Sequence, residues 1–360
     1  MDIVKVCIIT CYNEPDYIRA RTLRAAARSI DGIDVTVVKN THKGILRYAE
    51  VSLRLLIVRF KLRADVYLLT FRGYEMLLPV RLLTAGKPLI YDEFIHPVEW
   101  AIHEHKKLGV NNPSVALFTW FYKMLVRSVQ LVITDTDSHA DLSAELTGVK
   151  RSKIEAFPVG TDEGMFATNL KQIKSKNKDL TVFYYGNMLP LHGLQYVIQA
   201  AEKLRDKSVK FVLIGGDEAT AAMVVESQDA GANIEYKKWV EFSELPKLMN
   251  QADICLAGPF GGTYQSQYVI TGKAYQYLAM GRPVIVGKNK ESGVFENKKN
   301  ALIVPQANAN ALSETLEWAL GNRDKLESIG DAGRKLYDEK FSNKQLSPRL
   351  KTILARLSNS

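Results

Sequence analysis

The chain has 360 residues, 46% hydrophobic and 24% charged, which is enough for about two folded domains and excludes disorder over most of its length. Lysine and arginine number 48 against 39 acids, a net charge of +9 that suits a partner carrying phosphate or another anionic group. Three scattered cysteines, Cys7, Cys11 and Cys255, cannot make a disulfide framework and point to a reducing compartment.

Short apolar runs rich in β-branched residues begin at once, at 4–10, and recur at 35–38, 66–70, 88–91, 131–134 and 154–159. The first run is strand-sized and no small-residue cleavage site follows, so no secretory leader is expected. The longest uncharged apolar stretch, around 115–122, stops at Lys123 and falls short of the ~20 residues of a spanning helix. A turn-rich segment, Gly160 to Gly164, leads into a lysine-rich polar stretch at 169–178, and a linker is expected at about 161–179. The runs then resume at 181–185, 211–214, 234–236, 254–256, 284–286 and 301–304. Most are continuously apolar, as strands buried on both faces are, and helical patterns separate them, such as 194–204 with Val197, Ile198, Ala201 and Leu204 on one face. This alternation predicts an α/β chain with two Rossmann-like, doubly wound parallel sheets facing a central cleft. The expected domains are 1–165 and 166–335, with a helical tail, 336–360, packing back towards the first.

Two segments of the second half are suited to phosphate chemistry. Gly186-Asn187-Met188-Leu189-Pro190-Leu191-His192-Gly193 follows a strand and opens a helix, where glycine lets backbone approach a phosphate. Gly258-Pro259-Phe260-Gly261-Gly262-Thr263 follows another strand, and Lys273 then falls in the first turn of a helix. A lysine there opposes the helix dipole and needs an anion to offset it.

Those motifs, with the Lys273-x-x-x-Tyr277-Leu278-Ala279-Met280-Gly281-Arg282-Pro283-Val284-Ile285 run and 301–305, resemble the donor half of a GT-B glycosyltransferase of family 4. Tyr91-Asp92-Glu93-Phe94, the 133–140 segment and Pro158-Val159-Gly160-Thr161-Asp162-Glu163 resemble its first half, in the right order. The resemblance implies a retaining, metal-independent hexosyltransferase that takes a nucleotide-diphosphate sugar as co-substrate and no cofactor. It implies donor binding by Gly186, Asn187, His192, Gly261, Thr263, Lys273 and Gln276, with backbone of Gly186 and Gly261 on the diphosphate and Gln276 on the nucleoside side. Asp92 and His96 would face the acceptor, a glycan or a lipid-linked polysaccharide precursor, and with Lys273 form the catalytic set. Two positions where the family carries glutamate read Tyr268 and Gln276 here, which motivates an alternative: a non-catalytic GT-B homologue that binds a glycan or a partner. A third reading, a nucleotide-sugar 2-epimerase, needs a pair of acidic residues for proton abstraction, and no such pair stands out.

Cys7 to Glu14 resembles the opening of family-2 GT-A enzymes, and Asp135-Thr136-Asp137 their metal-binding Asp-x-Asp. That reading leaves the second half unexplained, and Asp135 is expected instead to cap a helix beginning near Ser138. His103 and His105, near His96, alternate on a helix and share no face, so no metal site is expected. Residues 19–63 hold eleven basic and three acidic residues, with Arg47, Arg54 and Lys61 at seven-residue spacing, and Phe118, Trp120, Phe121 and Tyr122 precede Lys123. A basic amphipathic face with aromatic neighbours predicts contact with an anionic membrane surface, and the expected location is the cytoplasm, peripheral on the membrane. No nucleic-acid-binding motif is present.

Overall fold

The computed structural model describes residues 3–99, 113–166 and 179–358. The chain divides into two compact units, Met1–Asp162 with Asn343–Ser360, and Glu163–Ser342. The lysine-rich stretch 169–178 and both His103 and His105 lie outside the described residues.

The first unit holds a parallel sheet of β1 (Val4–Thr10), β2 (Ile33–Lys39), β3 (Val66–Leu69), β4 (Leu89–Asp92), β5 (Leu131–Thr134) and β6 (Ile154–Ala156), in the order β2-β1-β3-β4-β5-β6. β1 pairs with β2 from Val4↔Ile33 to Thr10↔Lys39 and with β3 from Val6↔Val66 to Ile9↔Leu69. β3, β4 and β5 are buried at every position, which is why their sequences do not alternate. β6 ends earlier than the apolar run because the carbonyls of Phe157 and Pro158 turn to accept from Arg19, and Pro158 has no N–H for the ladder. The helices are α1 (Ile18–Arg28), α2 (Leu46–Lys61), α3 (Leu77–Leu83), the single turn α4 (Pro97–Glu99), α5 (Pro113–Arg127) and α6 (Asp137–Thr147). Thr136, rather than Asp135, caps α6, its hydroxyl accepting from the His139 N–H at 3.2 Å.

The second unit repeats the plan with β7 (Leu180–Tyr185), β8 (Val209–Ile214), β9 (Ile234–Lys237), β10 (Ile254–Leu256), β11 (Val284–Lys288) and β12 (Leu302–Pro305), in the parallel order β12-β11-β10-β7-β8-β9. Its helices are α7 (Leu194–Lys203), α8 (Glu218–Asp229), α9 (Leu245–Asn250), α10 (Gly272–Ala279), α11 (Ala309–Gly321) and α12 (Arg323–Lys340). Val182, Val197, Ile198, Phe211, Leu213, Leu256, Ile285, Leu312 and Leu316 share one core.

α12 runs unbroken through 335, and Phe341 packs edge-on against Tyr275 at 5.0 Å, so this unit ends at Ser342. The last helix, α13 (Asn343–Ser358), belongs to the first unit. Leu346, Leu350, Ile353, Leu354 and Leu357 join Val6, Ile8, Leu23 and Ala26 in a second face of that unit's core. Ser347 bonds Ser29 at 2.6 Å, and Arg356 pairs with Glu155.

Each strand order reverses its direction of winding once, between β1 and β3 and between β7 and β10. In open α/β sheets ligands bind beyond the carboxyl ends of strands at such reversals.

Candidate functional site

Over the β7–β10 reversal, three distant segments meet. Tyr185 ends β7 and Gly186 follows with φ +147°. A side chain there would bring its Cβ within 3.3 Å of Lys273 Nζ and 3.4 Å of His192 Nδ1, so glycine keeps the space open. Lys273 comes from the first turn of α10, whose start is tied to the end of β10 by Thr271 Oγ1 donating to the Ala257 carbonyl at 2.7 Å. His192 comes from the single turn before α7.

Lys273 Nζ and His192 Nδ1 are 3.2 Å apart, and the ammonium also stands 5.2 Å from the centre of the Tyr184 ring. Lys273 is buried, and burial pulls its pKa down to about 7. Burial, and then the Lys273 charge, holds the His192 pKa well below its ordinary value. The imidazole is therefore neutral, with Nδ1 accepting from the lysine and Nε2 carrying the proton. Among the described residues no carboxylate stands within ion-pairing reach of either group. Tyr268 and Gln276, the two positions of the missing glutamates, are buried at 4% and 2% exposure and carry no charge. The site is thus built to receive negative charge rather than to hold it.

The remaining donor-side residues fall into two groups. Asn187 is exposed on the loop between β7 and α7. Gln276 Oε1 accepts from the Tyr185 hydroxyl, which leaves its amide as donor. Tyr185 was not singled out from sequence, although its place directly before Gly186 was a usable signal. Thr263 Oγ1 accepts from the Ser266 N–H at 3.2 Å and caps a short turn. The expected use of backbone N–H groups at Gly186 and Gly261 is corrected by their bonding. Gly186 donates to the Ile214 carbonyl at 3.0 Å and Gly261 to the Leu191 carbonyl at 3.0 Å. Gly261 serves close packing instead, since a Cβ there would lie 2.0 Å from the Pro190 carbonyl oxygen.

In the first unit the structure corrects Asp92. Arg19 Nη2 and Nε donate to Asp92 Oδ1 at 2.8 and 3.0 Å, and the Phe71 N–H donates to Oδ2 at 3.2 Å. Both side chains are at 0% exposure. Asp92 is a fully paired structural anion with no oxygen left for a substrate. His96 is buried too, with Nδ1 accepting from the Glu99 N–H at 3.3 Å and its ring edge-on to Tyr122. Burial lowers its pKa. Glu93, missed from sequence, accepts from the Tyr122 hydroxyl, and its Oε1 stands 3.8 Å from His139 Nε2. Burial lowers the His139 pKa, and the Asp135 carboxylate, 2.7 Å from Nδ1, together with Glu93 and Glu99 more than restores it. Asp135 is therefore engaged by a histidine. Among the described residues no group of three or more His, Cys, Asp or Glu is placed to hold a metal ion.

The Arg47, Arg54 and Lys61 stripe is also corrected. Arg47 is half-buried and pairs with Glu75 at 2.8 Å, while the exposed Arg54 pairs with Glu50 of the same helix at 2.7 Å, so neither charge is unpaired. Beside the exposed Arg54 and Lys61, α2 shows large apolar side chains to solvent, Leu53 at 61% and Phe60 at 73% exposure, and Leu82 on α3 and Trp120 on α5 are exposed as well. Among the described residues no helix is long and apolar enough to cross a membrane.

Residues 179–322 match the family model described as glycosyl transferases group 1. Over 136 residues, 38% of this chain, the sequence is 26% identical to the putative colanic acid biosynthesis glycosyl transferase WcaI of Escherichia coli K12, and the match spans about a third (33%) of that protein. Among solved structures, sucrose-phosphate synthase (tll1590) from Thermosynechococcus elongatus aligns with a TM-score of 0.74 at 14% identity, covering 98% of this chain and 99% of that one. Anabaena Alr3699/HepE, solved in complex with UDP-glucose, aligns at 0.72 and 12% identity, covering 98% and 100%. The whole described chain therefore shares their fold.

Proposed function

We propose that this chain, whose fold is that of the GT-B glycosyltransferases and whose residues 179–322 form a group 1 glycosyl transferase domain, moves a sugar from a nucleotide-diphosphate sugar to a glycan or lipid-linked acceptor. One observation carries the reading: a buried lysine and a neutral histidine, 3.2 Å apart at a strand reversal. A leaving diphosphate supplies the negative charge that the pair lacks. Lys273 donates to it from a water-poor site, where a charge-assisted bond is strong, and the neutral His192 offers Nε2–H. In this proposal the protein's own donors stabilise the leaving group, no metal is required and the sugar's anomeric configuration is retained. The nucleotide sugars in the structures of relatives such as Alr3699/HepE support the donor class.

The test is a calorimetric screen of nucleotide-diphosphate sugars against the whole chain, paired with an assay for release of the nucleotide. Binding with turnover is expected. The absence of binding by any nucleotide at millimolar concentration would return the chain to the alternative, a partner- or glycan-binding homologue, which the Tyr268 and Gln276 replacements favour. The Gln276→Glu variant separates the two further. The Tyr185 hydroxyl can donate to a carboxylate as well as to an amide oxygen, so the fold is kept. A carboxylate toward the ribose adds up to about 1 kcal/mol, roughly five-fold in donor affinity. Preserved or tighter binding is expected; a variant that binds nothing would mark the site as degenerate.

The proposal includes peripheral contact with an anionic membrane through α2, supported by exposed Leu53 and Phe60 on the helix that also carries the exposed Lys61. Burying Phe60 in the interface contributes about 1.5–3 kcal/mol and Lys61 about 1 kcal/mol against anionic lipid. The Phe60→Asp, Lys61→Glu double variant is expected to lower co-sedimentation with anionic vesicles at least ten-fold. Unchanged or absent vesicle binding would return these residues to ordinary surface.

A further inference from the structure

At the edge of the first sheet, α1 turns Leu23, Ala26 and Ala27 into the core. Arg21, Arg24, Ala25 and Arg28, at the i, i+3, i+4 and i+7 spacing of one helix stripe, run along its other side. β2 is the edge strand of the sheet, and Val37 and Lys39 point to the same side of it as Ile33 and Val35, the side on which α1 packs. Arg54 reaches over from α2 and donates to the Lys39 carbonyl at 2.9 Å. These three elements wall a cavity of about 610 Å³, into which the arginine stripe, Lys39, Arg54 and two acids, Asp16 and Asp162, all face. Every lining residue belongs to the first unit and none comes from β1 or β3, so the cavity lies beside the sheet and not over its strand reversal.

The cavity holds more positive charge than its acids answer. Arg21 pairs with Asp162, and Arg54 with Glu50. Asp16 serves two cations at once, Arg24 at 2.6 Å and Lys39 at 2.8 Å. Arg28 has no ion-pair or hydrogen-bond partner among the described residues. Arg24 is buried, at 6% exposure, yet its guanidinium makes a single hydrogen bond, to Asp16. Its remaining N–H groups are not sealed against protein, so they open on the cavity. A buried guanidinium whose counter-charge is shared with a lysine is costly until a second anion reaches it.

We propose that this cavity binds a small molecule carrying two phosphate groups, at a site separate from sugar transfer. The volume is that of a small-molecule site, and a flat membrane surface does not reach the buried Arg24. Arg24 and Arg28 stand four residues, ~6 Å, apart along α1. Lys39 and Arg54 add cations from β2 and α2, so two anionic groups are held at separate points while the body between them rests on Ala25 and Val37. A phosphate presents more acceptor oxygens than a carboxylate, which matches the unused guanidinium forks of Arg24 and Arg28. The inference does not depend on the donor reading, since no residue of the Lys273 site takes part.

The test titrates the full chain by calorimetry, at fixed ionic strength, with fructose 1,6-bisphosphate, fructose 6-phosphate, fructose and inorganic phosphate, beside co-sedimentation with phosphatidylglycerol vesicles. The bisphosphate is expected to bind ten-fold or more tightly than the monophosphate and than inorganic phosphate, and fructose not at all. Arg28→Gln, at an exposed position, should weaken the bisphosphate at least five-fold without moving the melting temperature of the free chain. Ala25→Trp leaves every charge in place and fills the cavity from an exposed helix position, so it should abolish binding; if melting shows it misfolded, Arg28→Gln alone decides. Lys335→Glu, an exposed charge of the second unit, should change nothing, and a loss there equal to that in Arg28→Gln would reduce the effect to net charge and overturn the site. The bisphosphate titration is repeated in Lys273→Ala: binding that survives belongs to the α1 cavity, and binding lost there belongs to the donor pair and overturns the proposal. Equal affinity for the mono- and bisphosphate, unchanged affinity in a folded Arg28→Gln or Ala25→Trp protein, or retention on vesicles with no bisphosphate bound overturns it as well.

Discussion

Lys273→Ala is expected to weaken nucleoside-diphosphate binding at least ten-fold while binding of the free nucleoside barely changes. A charge-assisted hydrogen bond to phosphate is worth about 1.5–3 kcal/mol, and ten-fold corresponds to ~1.4 kcal/mol. The pH dependence gives a second readout. In the free chain burial holds the Lys273 pKa at about 7, against an ordinary value of 10.5. A diphosphate favours the ammonium, so binding raises that pKa and takes up a proton. Below pH 7 the lysine is already charged and affinity is at its maximum. Above it the affinity falls, by up to roughly ten-fold per pH unit, because the proton must be recruited on binding. Calorimetry in buffers of different ionisation enthalpy should show proton uptake at pH 8 in the unsubstituted chain and none in Lys273→Ala. Equal diphosphate affinity of the two proteins, with no proton uptake, would remove Lys273 from the donor site.

Asp92→Ala is expected to cost stability first and activity only as a consequence. The substitution strands the Arg19 guanidinium at 0% exposure with its Phe157 and Pro158 carbonyl partners but no counter-charge. Breaking a buried ion pair from one side costs about 3–5 kcal/mol, which lowers the melting temperature of a unit of this size by roughly 6–20 °C. Replacing both partners by apolar residues, Arg19→Met with Asp92→Leu, should recover most of the loss, because no uncompensated charge is then left buried. A melting curve that does not move in Asp92→Ala, together with lost transfer, would reinstate Asp92 as a catalytic group.

The contrast between Lys273 and Asp92 shows what the sequence could carry. Lys273 stands out in the sequence because its difficulty is local: a cation in the first turn of a helix, next to glycine turns, opposes the helix dipole. Asp92 was misread because its partner lies 73 residues earlier, and nothing around Asp92 says that Arg19 turns inward. The strands were legible for the same local reason, since β3, β4 and β5 are buried throughout and apolar except at the Asp92 and Thr134 ends of β4 and β5. The arginine stripe on α2 failed in the opposite way. Its spacing was real, but Glu75 takes up Arg47 and Glu50 of the same helix pairs with Arg54, and the large apolar residues Leu53 and Phe60 are exposed among the basic positions. The run Cys11-Tyr12-Asn13-Glu14 drew notice in the sequence only for its likeness to another family; its aromatic neighbour Phe71, 4.9 Å from the Tyr12 ring, comes from the sheet order that sets β3 beside β1.

The placement of α13 has a consequence for synthesis on the ribosome. Leu350, Ile353 and Leu354 fill a core whose other wall is made by Val6, Ile8 and Leu23, more than three hundred residues earlier. One face of β1 and α1 therefore lacks part of its cover until α13, made after the whole second unit, has left the exit tunnel. The second unit, made in between, has all of its own core by Ser342 and can fold while the first still waits. Completion thus runs against the order of synthesis: the first unit closes after the unit made in between, and the β1 and α1 surface that α13 covers stays open to chaperones or to aggregation until then.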